Sequence, residues 1–146
     1  MGEALVGLFN LVLSTGQIPE EWSIGIIVPI YKNKGEMSNP DNYRGITLLS
    51  CVGKLFTSLL NHRLCIFLDD YGVLGEEQAG FRSGYSTADH VFVLNMLIEL
   101  YSYKKKKLFC AFIDYKKAFD SIDRTLLWQK LLSQNICGKF FNVIYK

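Results

Sequence analysis

Leu108-Phe109-Cys110-Ala111-Phe112-Ile113-Asp114-Tyr115-Lys116-Lys117-Ala118-Phe119-Asp120 is the stretch on which the reading of this sequence turns. Its first six residues form an unbroken apolar run of strand length, the pattern of a strand covered on both faces. Asp114 stands at the C-terminal end of that run, the edge where open α/β sheets commonly place ligand sites. A carboxylate there suits a hard divalent cation such as Mg²⁺, which prefers oxygen ligands and keeps several waters. Spacing alone leaves a second reading open, a turn or cap aspartate. Asp120 and Asp123 are the nearest further carboxylates. Neither is placed by spacing to face Asp114, and Asp123 reads as a helix cap.

Outward from this stretch the elements alternate in type. Upstream, Ser86 and Thr87 offer N-caps for a helix running to about Tyr103, with Val91, Leu94, Leu97, Ile98 and Tyr101 as its apolar stripe. Lys104–Lys107 links that helix to the apolar run, either as a solvated connection or as a nucleic-acid contact. Val52–Leu68 is the clearest amphipathic helix, ended by Asp69-Asp70-Tyr71-Gly72. Ile24–Tyr31 reads as a strand, Lys32–Asn42 as a polar loop, and Ile46–Leu49 as a short pairing strand. Glu3–Leu13 has helical spacing with Gly16 as its stop, and Pro19 opens a turn. Downstream, Asp123 caps a helix over about Arg124–Gln134, and Phe140–Tyr145 begins another. The fold class expected is α+β, helices packed on a small sheet.

Composition sets the frame. The 146 residues are 49% apolar, enough for a packed core in one domain or in part of a larger one. The net charge of +2 hides an asymmetry: from Leu100 onward there are 10 Lys and Arg against 3 Asp and Glu, and before it 6 against 11. The basic excess lies in the same third as Asp114, which suits a polyanion but equally a solvated basic face. Cys51, Cys65, Cys110 and Cys137 show no metal-ligand spacing and read as buried free thiols without disulfide partners. Leu5–Leu13 is too short to span a bilayer and lacks a basic lead-in. An intracellular protein with no membrane partner is expected, with nucleus and cytoplasm undistinguished.

Phe112–Asp120 resembles the first catalytic motif of reverse transcriptases, in the variety carried by LINE-type (non-LTR) retrotransposons. The resemblance extends along the chain. Val28-Pro29-Ile30-Tyr31-Lys32 with Asn42-Tyr43-Arg44-Gly45-Ile46-Thr47-Leu48-Leu49-Ser50 is similar to the first fingers motif. Gln78-Ala79-Gly80-Phe81-Arg82 with Ser83-Gly84-Tyr85-Ser86-Thr87 is similar to the second. Gly16–Trp22 resembles the lead-in of LINE-type enzymes. Each motif alone is weak; four in the right order are specific.

The resemblance implies a partial right-hand polymerase, with residues 1–107 as a fingers-like region and 108–146 as the start of the palm. Asp114 is then the catalytic aspartate that binds both magnesium ions. Phe119 maps to the aromatic gate that blocks a ribose 2′-hydroxyl, though a packed core aromatic would look alike. Lys32 and Arg44 map to basic residues that hold the incoming triphosphate. Gln78 and Gly80 shape a turn beside the template. Arg82 either contacts template backbone or holds the fingers together by hydrogen bonds. The implied partners are an RNA template, a DNA primer and a dNTP. The aromatic-x-Asp-Asp motif that completes the family's metal site does not follow Asp114, and the thumb is absent. The chain is therefore expected to be the front part of a longer polymerase and inactive alone. The competing expectation is a non-catalytic retroelement remnant that at most binds nucleic acid or protein.

Overall fold

Local signals dictate most element ends. A computed structural model describes residues 2–146 as six α-helices, one 3-10 turn and one two-stranded sheet, a mixed α+β arrangement. The helices are α1 (Gly2–Thr15), α2 (Glu20–Ser23), α3 (Cys51–Asp70), α4 (Thr87–Tyr103), α5 (Arg124–Ser133) and α6 (Gly138–Tyr145). Strands β1 (Ile26–Tyr31) and β2 (Tyr43–Leu48) pair antiparallel, with Ile26 opposite Leu48 and Tyr31 opposite Tyr43. The pairing carries β2 three residues further toward the N-terminus than apolar content indicates, because the ladder is made by backbone groups whatever the side chain.

Helix ends follow capping chemistry. Gly16, at φ 66°, closes α1 with its N–H on the Val12 carbonyl at 2.8 Å. At the end of α3, Val73 N–H donates to Leu68 O at 2.9 Å and Gly72 N–H to Asp69 O at 3.1 Å, with Gly72 at φ 58°. That double bond is a Schellman motif. The same motif ends α4 at Lys105 and α5 at Asn135, both at positive φ. Ser86 N–H donates to Asp89 at 2.7 Å at the start of α4, and Asp123 accepts from the N–H groups of Thr125 (2.8 Å) and Leu126 (3.2 Å) at the start of α5.

The chain forms two compact units. One runs through Leu64 and takes up Trp128–Lys146; the other is Cys65–Leu127. The first unit holds the core, made of Phe9, Val12, Phe56, Leu60 and Val143, flanked by Leu8, Trp22, Leu59 and Phe140. Phe56 is its centre, with ring centroids 5.2 Å from Phe9 and 5.3 Å from Trp22. Gly53 keeps α3 close to that cluster, since a Cβ there would sit 3.2 Å from the Trp22 ring. Each of these aromatic side chains contributes on the order of 2–3 kcal/mol by leaving water.

The second unit departs from the sequence expectations. Leu108–Ile113 forms no strand and is not buried; Phe112 and Ile113 are 83% and 81% exposed. A strand exists only where its N–H and C=O groups meet a partner ladder, and among the described residues the sheet contains β1 and β2 alone. Helix α4 forms as expected, yet its stripe is only partly covered: Leu94 and Tyr101 are half-buried, Val91, Leu97 and Ile98 are exposed, and no residue of α4 is buried. The cysteines also differ from expectation. All four are free, but Cys51, Cys110 and Cys137 are exposed: Cys110 lies in the unpaired apolar run, and Cys51 and Cys137 stand at the starts of α3 and α6 with their side chains outside the packed positions.

Two outcomes follow. Phe56→Ala should lower unfolding free energy by roughly 3–5 kcal/mol, read by urea denaturation followed through Trp22 fluorescence. The chain exposes 12447 Å², against roughly 7,600 Å² for a folded monomer of its mass. Much of this is apolar, on β1, β2, α4 and residues 108–113, so the isolated chain should self-associate. Sedimentation velocity giving one concentration-independent monomer species would contradict this.

Candidate functional site

The fingers-type residues Lys32 and Arg44 lie on the β1–β2 hairpin of the first unit. Arg44 stands opposite Ile30 in the ladder, and Lys32 N–H extends the ladder by one bond to Asn42 O at 2.8 Å. Strand alternation puts Arg44 and Ile30 on one face, and Lys32, two residues beyond Ile30, follows the same parity. Both side chains are exposed. The connecting loop is well tied: Lys32 Nζ donates to Asp41 O at 2.8 Å, Asn42 Nδ2 to Glu36 O at 2.8 Å, and Tyr43 Oη to Met37 O at 2.9 Å. Tyr31 Oη donates to the Gly35 carbonyl. The hairpin thus carries two cations on a braced support, open to an anion.

The second motif folds around Arg82. Its Nη1 donates to the carbonyls of Gly75 (3.0 Å) and Gln78 (3.3 Å), and its Nη2 to Asp69 Oδ1 at 3.2 Å. The Tyr85 ring lies 4.4 Å from the guanidinium carbon, and Tyr85 Oη donates to Glu76 at 3.1 Å. That bond to Glu76 raises the Tyr85 hydroxyl above its usual range, while the Arg82 charge pulls the other way. The Arg82 side chain is only 15% exposed and its Nε–H is buried without a partner. Asp69 is 54% exposed, so its ion pair is screened and adds little. The carbonyl bonds and the cation–π contact carry the loop. The guanidinium thus ties Asp69, Gly75, Gln78 and Tyr85 together.

Gln78 and Gly80 share this loop. Gln78 Nε2 donates to Gly80 O at 3.0 Å, and a Cβ added at Gly80 would meet nothing nearer than that nitrogen at 3.5 Å. Between Gly80 and Arg82, Phe81 adopts φ 63° and is 90% exposed. A bulky residue in the left-handed region costs about 1–2 kcal/mol. The Phe81 ring stands edge-on to Phe119, centroids 6.0 Å apart and planes at 83°. Phe119 is itself exposed, in a turn where Asp120 and Ser121 donate to Lys117 O.

Asp114 follows the unpaired apolar segment and is exposed. Among the described residues no group of three or more His, Cys, Asp or Glu is placed to hold a metal ion. Asp114 offers one hard oxygen ligand, and a metal centre needs more. An apolar groove of about 490 Å³ beside the core, lined by Ile18, Trp22, Phe56, Leu60 and their neighbours, includes none of Lys32, Arg44, Gln78, Gly80, Arg82, Asp114 and Phe119. The partners of Arg82 (Asp69 and Tyr85) and the apposition of Phe81 with Phe119 escaped sequence reasoning.

Comparison with known proteins accords with this layout. Residues 30–145 match the family described as reverse transcriptase (RNA-dependent DNA polymerase). A probable RNA-directed DNA polymerase from transposon BS of Drosophila melanogaster is 32% identical over 79% of the chain, which corresponds to 13% of that protein. The probable RNA-directed DNA polymerase from transposon X-element of the same species is 29% identical over 94% of the chain and 15% of its own length. A retrovirus-related Pol polyprotein from type-1 retrotransposable element R2 of Nasonia vitripennis is 30% identical over 97% of the chain and 13% of its length. The match thus defines a polymerase-type segment spanning about a seventh or less of these relatives. The chain belongs to the reverse transcriptase family, in the branch carried by non-LTR retrotransposons.

Arg82→Lys keeps the charge but loses the guanidinium fork. Limited proteolysis should then cut the Gly75–Gly84 segment at least several-fold faster, while far-UV circular dichroism stays unchanged. Unaltered protease resistance would show that the loop does not depend on Arg82.

Proposed function

We propose that this segment supplies the fingers (residues 1–107) and the first palm motif (residues 108–146) of a right-hand RNA-directed DNA polymerase. In the complete enzyme a primer 3′-hydroxyl attacks the α-phosphorus of a dNTP on an RNA template, and the bond to pyrophosphate breaks. The observation that carries the reading is the family match over residues 30–145, which takes in the second fingers motif, the Asp114 motif and all but the first two residues of the first fingers motif in order. Phosphoryl transfer is catalysed mainly by positioning and charge stabilisation. Lys32 and Arg44, exposed on a braced hairpin, fit the triphosphate: Arg as a bidentate fork, Lys as a point charge. Phe119 is the sugar gate. Gln78 and Gly80 face the template, and Arg82 serves it through the loop it holds.

Asp114 is one ligand for the divalent metal, Mg²⁺ by its oxygen chemistry. Among the described residues no three His, Cys, Asp or Glu side chains are placed to share that metal, and a second reading stands for the chain by itself: a non-catalytic retroelement remnant that at most binds nucleic acid or protein. Primer extension on an RNA template separates the two. A full-length polymerase carrying this segment should lose roughly 10²–10³-fold or more in rate on Asp114→Asn. The 146-residue chain should incorporate no dNTP. Full activity of Asp114→Asn in the longer enzyme would reject the metal role. Incorporation by the short chain, abolished by Asp114→Asn, would overturn the second reading.

A further inference from the structure

Phe81 combines three observations that ordinary packing does not reconcile. It is a bulky residue at φ 63°, a conformation that favours glycine. It is 90% exposed, so it buries nothing that would offset that backbone. It sits in a loop fixed on both sides, by buried Ala79 and by Arg82, whose N–H also donates to Ala79 O at 3.3 Å. Strain that survives in an over-determined loop points to a use for the side chain it presents.

The ring contact Phe81 makes shows what that use is. It meets Phe119 edge to face, at 6.0 Å and 83°, the arrangement aromatic quadrupoles prefer. Phe119 stands in a turn, 76% exposed, outside any helix or strand. A gate excludes a ribose only by collision, and a ring free to change rotamer gives way instead of colliding. Such a ring has to be locked by neighbours to within about half an ångström. No residue beside Phe119 in sequence supplies a second ring to it, whereas Phe81 does. We propose that Phe81 is a positioning residue for Phe119: its ring, held out by the Arg82-clamped loop, braces the gate edge-on and sets how strictly ribonucleotides are refused. The proposal rests on the reading of Phe119 as the gate.

The test uses the full-length polymerase carrying this segment and measures kcat/KM for a dNTP and for the matching rNTP on one primer–template. Phe81→Gly removes the ring while suiting the positive φ, so loss of the ring is not confounded with a damaged loop. It should lower the dNTP-over-rNTP ratio about 3- to 10-fold, the size of one edge-to-face contact. Phe81→Tyr should keep the ratio. Phe119→Ala should lower it further, and the double variant Phe81→Gly/Phe119→Ala should be no worse than Phe119→Ala alone. An unchanged ratio in Phe81→Gly beside a lowered one in Phe119→Ala would overturn the bracing role and leave the gate standing. An unchanged ratio in Phe119→Ala would remove the gate and the proposal with it. Additive effects in the double variant, or an equal KM rise for both nucleotides, would make Phe81 an independent stacking surface and overturn the proposal.

Discussion

Backbone hydrogen bonding governs where order is found in this chain. A helix satisfies its own N–H and C=O groups, and a hairpin satisfies one strand with the next. Among the described residues the regular elements are six α-helices, one 3-10 turn and the β1–β2 pair. Leu108–Ile113 has the apolar content of a central strand but no ladder to join among the described residues, so it is irregular chain, half-buried at Leu108 and exposed from Phe109 on. Asp114 inherits that condition. Its side chain is exposed. Apolar residues supply the driving force for a covered strand, but a strand is made by pairing.

The second motif shows the opposite case, a polar segment organised without a core. Between α3 and α4 the chain has little apolar surface to bury, with Ala79 its one buried hydrophobic residue. Order comes from one guanidinium that gathers two carbonyls, a carboxylate and a ring. Arginine suits this task because its donors are fixed in a plane whose face also stacks. The arrangement leaves Nε–H buried and unbonded, a cost that indicates how much the remaining contacts return. It also explains how Gln78, Gly80 and Phe81 can be exposed and yet held in place.

What was legible in the sequence was local. Gly16, Gly72, Ser86 and Asp123 end or begin helices as their chemistry demands, because a cap is decided within one turn of chain. The motif order was legible too, since it depends on residue identity alone. The apolar stripe of α3 was partly fulfilled, with Phe56 and Leu60 buried but Leu55 exposed. The stripe of α4 located the helix without giving it a fully covered face. Periodicity reports which side of an element seeks burial; it holds no information on whether anything lies opposite. The roles of Arg82 and Phe81 were illegible for a related reason. Asp69 and Arg82 are 13 residues apart, and Phe81 and Phe119 further still, so no spacing rule links them.

The charge asymmetry can now be divided on physical grounds. Four of the ten basic residues after Leu100 are Lys104–Lys107, at the C-terminus of α4. Cations at a helix C-terminus stabilise its dipole, and the backbone of Lys105 and Lys106 closes that end through bonds to Ser102 and Tyr101. This cluster therefore has a sufficient structural cause and adds no weight to a polyanion nearby. Lys146 is likewise accounted for, with its Nζ on the Gly16 carbonyl at 2.8 Å. The electrostatic case for nucleic acid consequently moves away from total charge. Lys32 and Arg44 remain as two cations that the hairpin holds exposed.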